Sequence, residues 1–180
     1  MISLRPKQED LYQRTRQSML NGHKSPLIVA PCGFGKTVLF SYFTKKVIEK
    51  NKRVMILAHR DELLDQISNT LNQFNVAHSF IAAGRFCSPR CLVHVASVFS
   101  LVKRIHKIPK PDVIIVDEAH NFCDGGTWSK IFNAYPEAWR IGVSASPCRL
   151  SGEPLGDAFD DLIIGPTTRE LIDSGDLCEY

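Results

Sequence analysis

A glycine-rich loop follows directly on a short apolar segment, and this arrangement constrains the fold of the chain most strongly. The segment is LIVA at residues 27–30, and the loop reads APCGFGKT at 30–37. Its glycines let the backbone pass close to a polyphosphate, so that several N–H groups can point at the anion. A helix that begins at the loop would add the positive end of its dipole. The sequence therefore predicts a strand, a phosphate-binding loop and a helix in succession.

The side chains of the loop indicate how a nucleotide would be held. We expect Lys36 to reach the β- and γ-phosphates and Thr37 to offer its hydroxyl to Mg²⁺. Ala30 stands where the general pattern has its first glycine, so the motif by itself is incomplete. The predicted nucleotide-contacting residues of the loop are Pro31, Cys32, Gly33, Phe34, Gly35, Lys36 and Thr37.

Apolar runs alternate with amphipathic segments along the rest of the chain. Continuous runs rich in β-branched residues are typical of strands buried on both faces. Predicted strands lie at 26–30, 53–58, 91–96, 112–116 and 140–145, with a short one at 162–165. Predicted helices lie at 7–21, 36–50, 61–74, 97–105, 127–134 and 167–175, with Asp61 and Ser97 as N-caps. This alternation predicts an α/β domain with a central parallel sheet and helices on both faces.

Two carboxylates follow one of these predicted strands. The run VIIVDEAH places Asp117 and Glu118 directly after the strand at 112–116. Ligands of parallel sheets bind at the carboxyl ends of the strands, so we expect both side chains beside the phosphate loop. Asp117 suits a Mg²⁺ ligand acting through a coordinated water, and Glu118 suits the group that orients the attacking water. Acidic residues are also common in exposed turns, but the phosphate loop in the same chain favours the catalytic interpretation.

Charge is distributed unevenly along the chain, which has a net charge of +3. Residues 1–60 carry twelve Lys and Arg against three Asp and Glu, whereas residues 121–180 carry four against ten. A basic first third suits an anionic ligand or nucleic acid. The sequence has no signal-peptide pattern or membrane-spanning run, and its six scattered cysteines favour reduced thiols, which predicts a cytoplasmic protein. Cys87 and Cys91 form a close pair, which alone is weak support for zinc.

Taken in order, the motifs resemble the first motor domain of superfamily 2 helicases and translocases, the DEAD/DEAH-box group. The resemblance is to the bacterial and phage branch related to restriction-enzyme motor subunits, in which a loop beginning Ala-Pro is usual. The matching segments are LRPKQ at 4–8, APCGFGKT at 30–37, LAHRDELLDQ at 57–66, DEAH at 117–120 and SAS at 144–146. It implies a RecA-like fold, residues 1–180 as a helicase ATP-binding domain, ATP and Mg²⁺ as cofactors, and nucleic acid as partner, with DNA favoured over RNA. It also implies a second RecA-like domain C-terminal to this one.

The resemblance assigns roles residue by residue. Arg5 and Gln8 match a segment whose glutamine often contacts adenine, and His120 would connect the γ-phosphate site to the third motif. That motif, Ser144, Ala145 and Ser146, would couple the nucleotide site to nucleic acid. The implied nucleic-acid contacts are His59, Arg60, Gly84, Arg85 and Ser97. The implied catalytic residues are Lys36, Asp117, Glu118 and His120, with Thr37 and Asp117 holding Mg²⁺.

Two alternatives stay open at the level of sequence. A phosphate-loop ATPase or kinase without a nucleic-acid role would explain Lys36 and Asp117 but not the HRDEL and SAS segments. A nucleotide-gated binding module that no longer turns over ATP is disfavoured by the intact Lys36, Asp117 and Glu118. The chain is expected to stop at a domain boundary, before the second domain that normally supplies arginines to the γ-phosphate. Hydrolysis by this chain alone is therefore expected to be very slow, unless Arg149 or Arg85 of a second copy acts in trans.

Overall fold

One parallel sheet organises the protein. The computed structural model describes residues 3–122, 126–149 and 151–178. Its strands are β1 (Pro26–Val29), β2 (Val54–Ala58), β3 (Ser79–Ile81), β4 (Val93–Ser97), β5 (Val113–Asp117), β6 (Trp139–Ser144) and β7 (Asp161–Ile164). They form a seven-stranded sheet in the order β3-β4-β2-β5-β6-β1-β7, and every pairing is parallel. The predicted α/β class with a central parallel sheet is confirmed.

Six helices lie among the described residues, and the second to the fifth of them connect successive strands. They are α1 (Pro6–Leu20), α2 (Lys36–Ile48), α3 (Asp61–Gln73), α4 (Val98–Val102), α5 (Thr127–Ala134) and α6 (Thr168–Asp173). Single 3₁₀ turns lie at Ile105–Lys107 and Ala119–Asn121. Among the described residues, no helix is long and apolar enough to span a membrane.

Two details of the predicted elements are wrong. The helix predicted at 97–105 ends at Val102, and the chain continues through a turn into the 3₁₀ segment. Asp61 is the first residue of α3 rather than its N-cap, because Arg60 keeps extended backbone angles and occupies that position. Ser97 does occupy the N-cap position of α4, but its side chain makes no capping hydrogen bond. The short strand β3 was not predicted.

The core lies on both faces of the sheet. On the first face, Leu11 of α1, Phe40 of α2 and Leu64 of α3 belong to one buried cluster, which Ile56 of β2 joins. Its neighbours Met55 and Leu57 belong to the opposite cluster, where α4 and α5 pack. Successive residues of β2 thus enter different cores, which explains why the strand is apolar without alternation. Both faces of the sheet are covered, as predicted.

The strand order brings two segments of the chain to one place. β6 lies between β5 and β1, with Asp117 opposite Val143 and Val29 opposite Ser144. All three strands run in the same direction, so the loop after β1 and the acidic residues after β5 leave the same edge of the sheet. Neighbouring strands are about 4.8 Å apart, so two strand spacings separate these segments.

Candidate functional site

The loop between β1 and α2 has the backbone shape of a phosphate cradle. Gly33 and Gly35 have φ angles of 79° and 88°, which residues with a Cβ rarely adopt. The Nζ of Lys36 lies 3.1 Å from Ala30 O and 3.3 Å from Pro31 O, so the ammonium group sits inside the curve of the loop. An ammonium group held there by neutral carbonyls is in position to exchange them for phosphate oxygens.

The remaining predicted loop residues differ in exposure. Cys32 is exposed, and Thr37 is half-buried at the first turn of α2. The side chain of Phe34 is buried in the core beneath the loop. A nucleotide contact from Phe34 therefore has to come from its backbone, while its ring fixes the loop to the sheet.

The start of α1 supports the loop directly. Gln8 is buried, and its Nε2 donates hydrogen bonds to Phe34 O at 3.0 Å and to Gly35 O at 3.4 Å. The guanidinium of Arg5 also donates to Phe34 O. A Cβ on Gly35 would lie 2.6 Å from Gln8 Nε2, so this close approach requires glycine. The two residues predicted to contact adenine are thus both bonded to the loop backbone.

The segment that follows α6 lies over the loop. A Cβ on Gly33 would come within 2.5 Å of Leu177 Cδ2. The Asp176 carboxylate is 3.5 Å from Arg5 Nη1 and 3.6 Å from Lys7 Nζ. No pattern in the sequence predicted these contacts, since 144 residues separate Gly33 from Leu177.

Asp117 is a buried carboxylate beside the cradle. Its side chain is 6% exposed, and Oδ1 accepts a hydrogen bond from Glu118 N at 3.0 Å. Burial, and then the neighbouring Glu118 charge, raise the pKa of Asp117 to about 6, although the hydrogen bond from Glu118 N and the charge of Lys36 act to lower it. Within residues 3–122, 126–149 and 151–178, no Lys or Arg forms an ion pair with it. A divalent cation would relieve this unfavourable charge, so the site fits Mg²⁺.

A chain of contacts leads from the acidic residues to β6. Glu118 has a φ of 51°, a strained angle for a residue other than glycine, and its Oε2 is 3.2 Å from His120 Nδ1. The same nitrogen is 3.0 Å from Ser144 Oγ, which accepts a hydrogen bond from Ser146 N at 3.1 Å. Ala145 between them is exposed. The residues predicted to couple hydrolysis to movement are therefore in contact, whereas their roles stay predictions.

The predicted nucleic-acid contacts lie along another part of the same edge. His59 and Arg60 follow β2, Ser97 ends β4, and Gly84 and Arg85 follow β3, and these three strands are neighbours in the sheet. Arg60 and Gly84 are exposed, whereas Ser97 is buried and presents little surface to a ligand. Arg85 binds both carboxylate oxygens of Asp65, at 2.5 and 2.8 Å.

Arg149 is also engaged within its own chain. Its Nε donates to Phe122 O at 3.1 Å and its Nη1 to Pro154 O at 2.7 Å. Its Nη2 is 2.5 Å from Asp157 Oδ1. Supplying Arg149 or Arg85 to another copy would require breaking these bonds.

Near Cys87 and Cys91, as elsewhere in the described ranges, no three His, Cys, Asp or Glu side chains form a group that could hold a metal ion.

Comparison with known proteins shows the family and the fold of this chain. The sequence profile of a family described as type III restriction enzyme, res subunit, matches residues 1–149. Among curated proteins, a 51.5 kDa protein of a Lactococcus phage (isolate 7-9) is 35% identical over 154 residues, which cover 86% of this chain and 31% of the phage protein.

Two solved structures share the fold. The Pyrococcus furiosus Hef helicase domain superposes with a TM-score of 0.74 at 22% identity, over 89% of this chain and 37% of that one. A nuclease-deletion mutant of the Type ISP restriction-modification enzyme LlaGI, in complex with a DNA substrate mimic, superposes with a TM-score of 0.75 at 14% identity, over 97% of this chain and 21% of that one. The predicted RecA-like fold is confirmed. This chain spans between about a fifth and two fifths of the length of these three proteins.

Proposed function

Because this chain belongs to the family described as type III restriction enzyme, res subunit, we propose that it is the ATP-binding motor domain of a nucleic-acid-dependent helicase or translocase. The observation that carries the proposal is the edge formed by β1, β5 and β6. There, the loop that holds Lys36 follows β1, and Glu118 follows β5. Glu118 contacts His120, which in turn contacts Ser144 at the end of β6. A site for hydrolysis and a route for coupling it to movement are thereby built on one rigid scaffold.

The residues of the loop bind the nucleotide in this proposal. Backbone N–H groups of residues 33–37 and the start of α2 face the β- and γ-phosphates, and the Lys36 ammonium moves from the Ala30 and Pro31 carbonyls to a phosphate oxygen. Thr37 Oγ1 and the Asp117 carboxylate would hold Mg²⁺. When bound, Mg²⁺ neutralises charge that develops on the phosphates. Arg5 and Gln8 keep the loop in its binding shape.

Glu118 acts in ATP hydrolysis in this proposal, and His120 links it to Ser144. The Glu118 carboxylate orients the water that attacks the γ-phosphate, while His120 Nδ1 contacts both that carboxylate and Ser144 Oγ. A change in the γ-phosphate site is thereby transmitted to Ser144 and Ser146. A second RecA-like domain in a longer protein would add arginines that stabilise the transition state.

We propose DNA as the nucleic-acid partner and the cytoplasm as the location. The support is the family description and the DNA substrate mimic bound to LlaGI. Within this chain, the exposed Arg60 lies where a phosphate backbone could cross the carboxyl edge of β2.

The proposal is tested by ATP hydrolysis in a protein that joins this chain to a second RecA-like domain. DNA should stimulate the parental rate, and Glu118→Gln should still bind ATP but hydrolyse it at least 100-fold more slowly, roughly the contribution of general base catalysis. Glu137→Gln, an exposed residue beside Lys24, is the matched control and should keep the parental rate. A parental rate that neither DNA nor RNA raises would favour an ATPase without a nucleic-acid role. A protein that binds ATP without hydrolysing it would favour the nucleotide-gated module.

A further inference from the structure

Two exposed aromatic rings lie at the edge where nucleic acid is proposed to bind. All ten phenylalanines of the chain fall within the described residues, and eight of them are buried or half-buried. The other two are Phe86, which is 82% exposed, and Phe99, which is 53% exposed. Phe99 follows β4 at the carboxyl end of that strand, and Phe86 lies beside the neighbouring edge strand β3, where its backbone oxygen accepts a hydrogen bond from Phe80 N.

Phe99 is backed by a second ring. The His59 imidazole, which follows the neighbouring strand β2, has its centroid 5.4 Å from that of Phe99, with the ring planes inclined at 56°. His59 Nδ1 is buried, and no group in the described parts of the chain is within hydrogen-bonding distance of it. The imidazole is therefore placed by contact with Phe99 rather than by a bond through this nitrogen. The exposed Phe99 ring thus packs against the imidazole of the residue that precedes Arg60.

A single exposed apolar side chain would need no explanation in a soluble protein. The other large exposed apolar residues are Leu20 at the end of α1 and Leu162 and Ile164 on β7, the opposite edge strand of the sheet. The exposed aromatic rings, by contrast, occur together at one edge. They lie beside an exposed arginine, and rings next to cations are the composition of surfaces that bind unpaired bases.

Charge alone gives this edge little affinity for a phosphate backbone. Arg60 is followed directly by Asp61 and Glu62, both exposed, and Arg85 is already paired with Asp65. These two cations therefore stand against three anions, and binding here needs a contribution that does not depend on charge. Stacking of a base on an aromatic side chain supplies one, because every base has a π-face.

We propose that Phe99, backed by His59, stacks on an unpaired base, so that this edge binds single-stranded nucleic acid in preference to duplex. The inference rests on the proposed function and names the form of nucleic acid that the site takes. In a duplex, both faces of each base are covered by neighbouring bases, and Phe99 would find only sugar and phosphate.

The test measures fluorescence anisotropy of three labelled ligands bound to this chain. They are a thymidine oligonucleotide, a strand of equal length whose residues lack bases, and a duplex. Phe99→Ala should weaken binding of the thymidine strand roughly fivefold or more, the range expected for loss of one stacked base, and leave the other two affinities unchanged. Phe99→Tyr should keep the parental affinity. Leu162→Ala removes a similarly exposed apolar side chain from β7, the opposite edge strand, and should leave all three affinities unchanged.

Salt dependence separates stacking from charge. Phe99→Ala should lower the affinity for the thymidine strand equally at all salt concentrations, whereas Arg60→Ala should reduce the slope of log K against log salt by about one. A midpoint of urea unfolding near that of the parent checks that each variant folds.

Two results would overturn the inference and can be told apart. In the first, Arg60→Ala weakens binding of all three ligands, whereas Phe99→Ala either binds them as the parent does or loses affinity for all three equally. Stacking is then wrong and the proposed function stands. If the parent binds none of the three ligands, the proposed nucleic-acid role of this edge fails as well.

Discussion

Asp117 is held in a charge state that destabilises the folded chain. Burial raises its pKa to about 6, so the folded state binds a proton more tightly than the unfolded state, in which the carboxyl has its ordinary pKa of 3.8. The stabilisation from the protonated form is complete below pH 3.8 and is lost as the pH rises through about 6. In buffer with a chelator, we expect Asp117→Asn to raise the free energy of unfolding by about 1–3 kcal/mol near pH 8 and to change it little near pH 4. Urea denaturation at the two pH values measures this difference.

Asp112 provides a control, because its pKa is shifted in the opposite direction to that of Asp117. Although burial alone would raise its pKa, hydrogen bonds from Arg53 N at 2.8 Å and Lys52 Nζ at 3.0 Å, with the charges of both residues, hold it below the ordinary value. Its stabilisation is therefore present above the unfolded pKa and is lost as the pH falls. Asp112→Asn should lower the free energy of unfolding near neutral pH. If Asp117→Asn did the same, burial would not be the dominant influence on Asp117.

At the scale of elements, α1 and the phosphate loop behave as one unit, because Gln8 spans them. We expect Gln8→Ala to weaken binding of ATP and of inorganic tripolyphosphate by the same factor, roughly fivefold, since the loss of a buried hydrogen bond loosens the loop for both ligands. Calorimetric titration of both ligands measures the factor. Gln13→Ala, on the exposed face of the same helix, is the control. A loss restricted to ATP would instead mean that Gln8 acts by contacting adenine.

Most elements could be predicted because their patterns are local. Strands such as Val54–Ala58 are continuous apolar runs between turns, and those runs exist only where both faces are buried. β3 was missed because Ser79–Ile81 offers only two apolar residues, too few for a periodic pattern. α4 was predicted too long because Ile105 fits the helical spacing. Ile105 does pack against the core, but from a separate 3₁₀ turn.

The site was predictable as far as it is made of contiguous motifs. The glycines and Lys36 occupy the positions that their motif implies, since strand, loop and helix are consecutive in the chain. Leu177 over Gly33 and Phe99 against His59 were not predicted, because tertiary packing brings together residues that no spacing rule relates. The order of the strands has the same origin: alternation predicts a parallel sheet, but not which strands are neighbours.

At the scale of the whole molecule, the described residues form one RecA-like domain. The two arginines that could be supplied to the γ-phosphate of another copy, Arg85 and Arg149, already bind carboxylates of their own chain. An arginine supplied to the γ-phosphate is worth roughly 10³–10⁵ in rate in related enzymes. We therefore expect this chain alone to bind nucleotide, to hydrolyse ATP barely above background, to bind nucleic acid weakly, and to unwind no duplex. Phosphate release measured over a range of protein concentrations should rise linearly, because Arg85 and Arg149 are held by Asp65 and Asp157. A steeper rise would show that one copy supplies an arginine to another.

The most direct test of the account is calorimetric titration of this chain with Mg²⁺ and ATP. The parent should bind, and Lys36→Ala should bind roughly tenfold more weakly, because a charge-assisted contact to phosphate is lost. Lys46→Ala, further along the same helix and paired with Glu49 at the surface, should match the parent. A Lys36→Ala affinity equal to that of the parent would contradict the assignment of residues 30–37 as the phosphate site, and with it the proposed motor function.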